Sequence, residues 1–281
     1  MTAPNVGVLG GGRMGAGIAH AFLISGSHVT VVERDPESAS AARERVLTAV
    51  TKSAERGLDV TGAAERLSVA TDATAFADCT LVIEAVPEIL DLKIESLQRV
   101  EAVISPEATL ASNTSSISID KLAAHLSRPE RFIGLHFFNP VPASKLVEIV
   151  IGGATAQELR TAAQGWVAQL GKTPVTVTDS PGFASSRLGV ALGLEAIRMV
   201  EEGVASAADI DAAMELGYRH PAGPLKTTDI VGLDVRLGIA EELARELGPR
   251  FEPPQLLRDM VAKGELGRKS GQGFYDWSED A

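Results

Sequence analysis

A histidine and a glutamate in the middle of the chain have the types and spacing needed to move a proton. His136 ends the apolar run 132–136, and Glu148 lies within the next apolar run, 145–150, twelve residues later. Histidine titrates near neutral pH and so suits removal of a proton from an alcohol. A carboxylate on its second ring nitrogen holds the tautomer and stabilises the imidazolium that forms. The structural alternative is a histidine bonded to a backbone carbonyl and a glutamate paired with Lys145.

A glycine-rich turn near the N-terminus is a candidate site for the hydride acceptor that such a reaction needs. Val6–Leu9 predicts a buried strand, and the glycines after it lead into a helix, as in the dinucleotide-binding fingerprint. The three glycines permit a tight turn, close approach of a pyrophosphate, and close packing of helix on strand. The helix N-terminus then offers N–H groups to the phosphates. The predicted cofactor contacts in this turn are Gly10, Gly12, Arg13, Met14 and Gly15.

Glu33, at the end of the second predicted strand, indicates which dinucleotide binds. A carboxylate there hydrogen-bonds the adenine ribose hydroxyls and repels a 2′-phosphate. Arg13 and Arg34 are close enough in the predicted turn to offset part of that repulsion. We therefore predict NAD as the cofactor, with NADP as the alternative.

The elements that must position these residues change character near residue 180. Strands and helices alternate before it, which predicts an α/β fold with a largely parallel sheet. The predicted strands are 5–9, 28–33, 67–71, 80–84, 109–112, 132–136, 145–150 and 175–177, and the predicted helices are 13–25, 36–56, 88–104 and 156–170. Only helical periodicity follows, over 186–202, 207–216, 231–247 and 254–263. We predict a Rossmann-type domain over 1–180 and an all-α domain over 181–281. The wide apolar helical faces of the second domain predict a homodimer formed through it.

Composition excludes several classes of protein. The net charge of −11 argues against nonspecific nucleic-acid binding, which needs clustered Lys and Arg. The single cysteine, Cys79, excludes an internal disulfide and a cysteine-based zinc site, and no metal site is predicted. No apolar stretch approaches the roughly 20 residues of a membrane helix. The first strand begins within a few residues of Met1, which leaves no room for a signal peptide. We expect a cytoplasmic protein.

These residues, with several further motifs, resemble the 3-hydroxyacyl-CoA dehydrogenases of the compact two-domain kind. The resemblance runs nearly end to end, with distinct motifs in the same order. They are Gly10–Ala19 (GGGRMGAGIA), Val82–Glu88 (VIEAVPE) with Lys93, Ser112–Ser116 (SNTSS), Arg131–Pro140 (RFIGLHFFNP), Lys145–Ile149 (KLVEI), Asp179–Phe183 (DSPGF), Gly223-Pro224 and Lys269–Tyr275 (KSGQGFY). The resemblance implies NAD-dependent, reversible oxidation of an (S)-3-hydroxyacyl-CoA to a 3-oxoacyl-CoA.

The resemblance also assigns roles to individual residues. His136 corresponds to the general base and Glu148 to its partner, while Asn139 positions the glutamate and the substrate. Ser115 corresponds to a serine that contacts substrate and cofactor near the nicotinamide; its structural alternative is to cap the turn before the next helix. The residues that match cofactor contacts elsewhere in the chain are Glu88, Lys93 and Lys269. We expect Lys269 to reach the cofactor from a partner subunit or an interdomain cleft.

An acidic enzyme needs a local basic patch to hold the phosphates of CoA. The predicted helix 36–56 carries Arg43, Arg45, Lys52 and Arg56. Lys52 and Arg56 lie four residues apart on one helix face, near where relatives bind the nucleotide end. The alternative is an ordinary solvated helix face.

The chain departs from the family pattern at three places. Ser186 takes the position of an asparagine after the PGF motif, and it offers one short hydroxyl in place of an amide. Ser144, preceded by Ala143, replaces a methionine before KLVE, and a polar or carboxylated acyl chain is one interpretation. Glu33 replaces the more usual aspartate and should reach the same hydroxyls.

Two other functions are compatible with this machinery. One is a related dehydrogenase acting on an acyl-carrier-protein thioester or on a free hydroxy or sugar acid. The other is a non-catalytic dinucleotide-binding protein that retains the fold. The intact His136–Glu148 pair argues against the second, because nothing structural requires both residues.

Overall fold

Short runs of Val, Leu and Ile build one eight-stranded sheet in the first of two units, Met1–Ser180. The computed structural model describes residues 4–279. The strands are β1 (Val6–Leu9), β2 (Val29–Val32), β3 (Leu67–Ala70), β4 (Leu81–Glu84), β5 (Thr109–Ser112), β6 (Phe132–Phe137), β7 (Leu146–Ile151) and β8 (Thr173–Thr178). Their order across the sheet is β3-β2-β1-β4-β5-β6-β7-β8.

Neighbouring strands in this sheet are parallel with one exception. β6 and β7 pair antiparallel, so β7 and β8 run opposite to the other six strands. The helices of this unit are α1 (Arg13–Ile24), α2 (Pro36–Glu55), α3 (Leu90–Glu101), α4 (Ile119–Ala123) and α5 (Gln157–Gln169). The order β3-β2-β1-β4-β5-β6 with intervening helices confirms the predicted Rossmann-type fold.

The core of this unit is aliphatic, because the central strands are buried on both faces. Every residue of β1 and β4 is buried, and all of them are apolar except Glu84, the last residue of β4. Helix α1 packs on them through Ile18, Phe22 and Leu23. α4 was predicted only as the helix that follows Ser115, without bounds, since five residues are too few to show helical periodicity.

The second unit, Pro181–Ala281, is helical throughout its described part. Its helices are α6 (Ser185–Glu201), α7 (Ala207–Tyr218), α8 (Pro224–Val231), α9 (Leu233–Leu247) and α10 (Gln255–Ala262). They bury a separate core that includes Val190, Leu194 and Leu225. The all-α character is as predicted, but helix α8 was not predicted, and the predicted helix 231–247 begins two residues later, at Leu233. Gly232, at a φ of +106°, separates α8 from α9 in a conformation that favours glycine.

Two buried aspartates hold the second unit together. Asp211 accepts hydrogen bonds from the N–H groups of Leu225 and Lys226 at the start of α8, both at 2.8 Å. Asp229 accepts from the backbone of Phe274 and Tyr275 and from the Trp277 indole. The KSGQGFY motif is therefore anchored to a helix by a buried carboxylate, and its Gly273 leaves the space that this carboxylate occupies.

Candidate functional site

The histidine and glutamate singled out in the sequence face each other across two paired strands. The antiparallel register of β6 and β7 places His136 directly opposite Glu148. His136 Nδ1 lies 2.8 Å from Glu148 Oε2, and the two residues are 6% and 1% exposed. Directly opposed residues on one face of an antiparallel pair have neighbouring side chains, so the register itself brings the two groups together. The pair is thus a buried imidazole whose tautomer is set by a carboxylate.

The loop that joins β6 to β7 is held from outside by a lysine. The Lys172 ammonium donates to the carbonyl of Val141 at 2.7 Å and also to that of Ser144. Burial lowers the pKa of Lys172 below its ordinary value. Asn139 lies exposed in this loop, and the Phe138 ring lies 4.4 Å from the imidazole of His136. Lys172 therefore fixes the segment that carries the predicted substrate-positioning asparagine.

The SNTSS segment meets the same strand through an asparagine that sequence reasoning missed. Asn113 Oδ1 accepts a hydrogen bond of 2.9 Å from the Phe137 N–H, next to His136. Its own N–H donates to the carbonyl of Glu84 at the end of β4. Asn113 thereby connects the ends of the neighbouring strands β4, β5 and β6. In the sequence, only its place inside the SNTSS motif pointed to such a role.

Glu88 organises the turn that contains Ser115. One carboxylate oxygen, Oε1, accepts from the Thr114 hydroxyl at 2.6 Å and from the backbone N–H groups of Ser115 and Ser116 at 2.9 and 3.0 Å. Burial acts to raise the pKa of Glu88, but the charge of Lys93 and these hydrogen bonds lower it below its ordinary value. Ser115 is half-buried, and its hydroxyl lies 3.4 Å from the same oxygen. The structure thus brings Glu88 and Ser115 together, as two of the predicted site residues.

Lys93, which the resemblance places near the cofactor, has a buried side chain that contacts two glutamates. Its side chain is 1% exposed, and its ammonium lies 2.7 and 3.0 Å from the two oxygens of Glu84, which is fully buried. It also contacts Glu88 Oε2 at 3.2 Å and the Val86 carbonyl. The second Glu84 oxygen accepts from the Ser112 hydroxyl at 2.6 Å. Lys93 thus holds the 84–88 segment in place, because its ammonium is surrounded by protein oxygens, and its contact with the cofactor stays a prediction.

The glycine-rich turn has the shape that a dinucleotide requires. Gly10 has a φ of +92°, and a Cβ on Gly15 would lie 1.8 Å from the Gly10 carbonyl oxygen. A Cβ on Gly12 would meet no atom of the described residues within 4 Å, so the backbone there can be approached closely. Among those residues no side chain caps α1, and its first turn holds no acid. The N–H groups of this helix start therefore suit a phosphate.

A cavity of about 880 Å³ extends from this turn along the ends of β1, β2 and β4. Glu33 lines it, with Oε1 accepting from the Gly11 N–H at 2.7 Å and Oε2 from the Arg34 N–H at 3.2 Å. The predicted Arg13 and Met14 line it as well. Lining residues that were not assigned to the cofactor from the sequence include Arg45, Val86, Pro87 and Arg99. The cavity lies where dinucleotides bind in such sheets, outside the carboxyl ends of the strands.

Arg45, one of the four basic residues of the predicted helix 36–56, lines this cavity. Its guanidinium donates to the Gly11 carbonyl at 3.3 Å. Arg43 instead donates to the Leu67 carbonyl on β3. Lys52 and Arg56 are exposed at the last turn of α2 and just after it, and their contact with CoA stays a prediction.

Replacing Glu33 with glutamine is expected to weaken the preference for NAD over NADP. Glutamine keeps an acceptor for the Gly11 N–H but removes the charge that repels a 2′-phosphate. We expect the ratio of kcat/KM for NADH to that for NADPH to fall about tenfold or more, the scale of one charged hydrogen bond. Glu44→Gln, an exposed charge change on α2 outside the cavity, is the control. An unchanged ratio in Glu33→Gln would contradict the role of Glu33.

The predicted site residues of the second unit are placed as follows. Ser186 lies half-buried in the first turn of α6. Lys269 lies on a short 3₁₀ turn, and its ammonium pairs with Asp234 at 2.5 and 2.6 Å. Burial acts to raise the pKa of Asp234, but its hydrogen bond from Lys269 lowers it. Contacts of Ser186 with substrate and of Lys269 with cofactor stay predictions.

Metal-binding clusters and membrane-spanning helices are absent from residues 4–279. In that range no group of three or more His, Cys, Asp or Glu side chains is placed to hold a metal ion. No helix in the same range is both long and apolar enough to cross a membrane. Cys79 is a buried free thiol, and burial raises its pKa to about 11.

Both units of the chain are similar to domains of one enzyme family. A family model described as the NAD-binding domain of 3-hydroxyacyl-CoA dehydrogenase matches residues 5–180, and a model of the C-terminal domain of that enzyme matches residues 182–277. A Deinococcus radiodurans protein named probable 3-hydroxybutyryl-CoA dehydrogenase is 43% identical, over 96% of this chain and 99% of its own length. A 3-hydroxybutyryl-CoA dehydrogenase from Mycobacterium tuberculosis is 42% identical, over 97% and 98%. The crystal structure of (S)-3-hydroxybutyryl-CoA dehydrogenase from Ralstonia eutropha is similar with a TM-score of 0.94 and 39% identity, over 98% of this chain and 99% of the other.

Proposed function

The chain belongs to the 3-hydroxyacyl-CoA dehydrogenase family, and on that premise we propose that it oxidises a short-chain (S)-3-hydroxyacyl-CoA with His136 as general base. The observation that carries the proposal is the buried His136–Glu148 pair, 2.8 Å apart on adjacent strands. The cofactor is NAD, which the family and the shape of the glycine-rich turn both support. The short-chain substrate follows the names of the relatives, which specify a hydroxybutyryl thioester.

The reaction removes two hydrogens from one carbinol group of the substrate. The O–H bond and the C–H bond at C3 break, and a C=O bond forms. When bound, NAD⁺ supplies the acceptor for the hydride from C3. We assign the hydroxyl proton to Nε2 of His136, because Nδ1 is the nitrogen that faces Glu148. In the reverse direction His136 returns this proton to the oxygen of the 3-oxo group.

Glu148 makes His136 a better base without taking the proton itself. As the imidazole becomes an imidazolium, a buried negative charge lies 2.8 Å away, and burial strengthens that attraction. The same contact keeps a proton on Nδ1, which leaves Nε2 as the nitrogen with a lone pair. The antiparallel pairing of β6 and β7 supplies this geometry through the backbone.

The thioester end of the substrate needs groups that position it against His136. We assign this to Ser115, whose turn is held by Glu88, and to Asn139, whose loop is held by Lys172. Ser186 is assigned to the substrate as well, at the position of the asparagine that follows the PGF motif in the family pattern. Its hydroxyl is shorter than the amide of that asparagine. Lys52 and Arg56, exposed at the end of α2, are assigned to the phosphates of CoA.

The second unit is proposed to form a homodimer. Several large apolar side chains of its described helices are exposed to solvent, with Leu188 at 71%, Leu216 at 83% and Tyr218 at 75%. Where such side chains form one contiguous patch, they mark an interaction surface. A self-complementary contact would cover them in both copies at once.

The proposed substrate class is tested by following NADH oxidation with three forms of the acetoacetyl group. We expect turnover of acetoacetyl-CoA, with a kcat/KM about a hundredfold or more above that of free acetoacetate, because two charged hydrogen bonds to CoA are worth at least that much. Acetoacetyl-acyl-carrier protein is the third substrate, and faster turnover of it would assign the enzyme to carrier-protein thioesters. Inactivity on a series of 3-oxoacyl-CoA chain lengths would contradict the proposal.

A further inference from the structure

Arg236, on α9, is a buried cation without a protein partner within residues 4–279. The residue is 5% exposed, and its Nε is buried with no hydrogen-bond acceptor. Burial lowers the pKa of Arg236 to about 10, and no neighbouring charge or hydrogen bond opposes this effect. A buried guanidinium is costly unless an anion compensates it, so its retention calls for an explanation.

The guanidinium lies along a face of α6 that lacks side chains. Its Nη1 lies 3.6 Å from the point where a Cβ of Gly189 would stand, and its Nε lies 3.5 Å from the corresponding point at Gly193. The guanidinium thus lies within van der Waals distance of the positions that these two side chains would take, one helical turn apart on α6. The guanidinium of Arg236, on α9, therefore packs against the backbone of α6.

The same guanidinium lines a cavity of about 320 Å³ within the second unit. The walls are mainly apolar and include Leu188, Leu192 and Pro221, with Leu188 largely exposed. The polar groups besides Arg236 are His220 and Thr227, and no acidic side chain of the described residues lines the cavity. A group that enters it meets one positive charge surrounded by apolar surface.

We propose that the Arg236 cavity binds a carboxylate carried on a short apolar chain. The planar fork of a guanidinium matches two carboxylate oxygens with two parallel hydrogen bonds. The apolar walls suit a hydrocarbon chain better than the many oxygens of a phosphate. The carboxylate has two possible sources, a small organic acid or an Asp or Glu side chain of a second copy of this chain. The inference rests on the second unit alone and holds whether or not the proposed dehydrogenase activity does.

The test uses butyrate as the small acid and butyramide as its uncharged match. For a small-acid site, butyrate raises the unfolding temperature of the wild-type protein in thermal scans, and butyramide does not. Arg236→Met abolishes this rise, and Arg236→Lys weakens butyrate binding about tenfold, since lysine loses the bidentate geometry. The Arg236→Lys variant keeps the positive charge. It therefore still tests the proposal if the Arg236→Met variant does not fold.

Sedimentation velocity of the same proteins identifies the source of the carboxylate. If a second copy supplies it, Arg236→Met and Arg236→Lys weaken self-association at least about tenfold, and butyrate leaves wild-type stability unchanged. Arg245→Met, an exposed arginine on the same helix, is the matched control and should alter neither measurement. The proposal is overturned if neither butyrate binding nor self-association depends on Arg236.

Discussion

Replacing His136 with alanine lowers kcat for acetoacetyl-CoA reduction by at least about a hundredfold, the usual scale for loss of a positioned acid or base. The reaction then depends on water to deliver the proton, while the hydride donor stays in place. KM for NADH should change little, because the histidine lies on β6 and does not line the dinucleotide cavity. Steady-state kinetics with both substrates varied measures the two effects separately.

Glu148→Gln tests the other half of the pair and is expected to lose activity on the same scale. The amide keeps the size of the carboxylate but cannot stabilise an imidazolium by charge. Its NH₂ group could also turn toward Nδ1 and favour the other tautomer. Crystal or circular-dichroism evidence of an intact fold must accompany the loss, because Glu148 is buried.

His125→Ala is the matched control for both variants, since this histidine is exposed and belongs to neither β6 nor β7. It should retain wild-type kinetics. Retention of more than about a tenth of the activity in His136→Ala would remove the base assignment, given the scale of general-base catalysis. If His136→Ala loses activity while Glu148→Gln keeps full activity, His136 remains the general base. The Glu148 carboxylate is then rejected as its partner.

Lys93→Met should be the most destabilising single change proposed for the first unit. Glu84 and Lys93 are 0% and 1% exposed, and the substitution leaves the Glu84 carboxylate buried beside an apolar side chain. Removing one partner of such a pair costs about 3–5 kcal/mol of unfolding free energy. Urea unfolding followed by tryptophan fluorescence and by circular dichroism measures the change.

The double variant Glu84→Gln with Lys93→Met separates charge burial from lost packing. With both charges gone, most of the penalty should disappear, because the cost comes mainly from the uncompensated buried charge. Lys263→Met, at the exposed end of α10, is the control for loss of a lysine. A Lys93→Met protein as stable as the wild type would show that the pair does not hold the 84–88 segment.

The same pair links stability to the site, because it fixes a wall of the cofactor cavity. Val86 donates its N–H to Glu84 at 2.6 Å, and Val86 and Pro87 both line the cavity. Weaker NADH binding should therefore accompany the lower stability of Lys93→Met. We expect this effect to reach the cofactor through the backbone of residues 84–88.

Most of the fold could be predicted from the sequence, because its signals are local. A continuous apolar run such as Val6–Leu9 reports a buried parallel strand, and the strand bounds differ from the predicted ones by at most two residues. The errors fall where local signals are weak or mixed. Helix α4 is too short to show a period, and the apolar pattern around Gly232 runs across the break between α8 and α9.

The sequence by itself determined which residues have the chemistry of the site. His136, Glu148, Glu33 and the glycines of the first turn stand out by type, spacing and resemblance to a family. Only the tertiary structure decided how they are used. The register of β6 on β7 sets His136 opposite Glu148, and Glu88 accepts N–H groups from a turn 27 and 28 residues away.

Buried charge was the feature least visible in the sequence. Lys93 and Arg236 have ordinary neighbours along the chain, and nothing in their local pattern distinguishes them from solvated side chains. The structure gives Lys93 a buried glutamate from β4 and leaves Arg236 without an anion among the described residues. The physical reason is that a charge is compensated by groups close in space, and folding alone decides which distant residues those are.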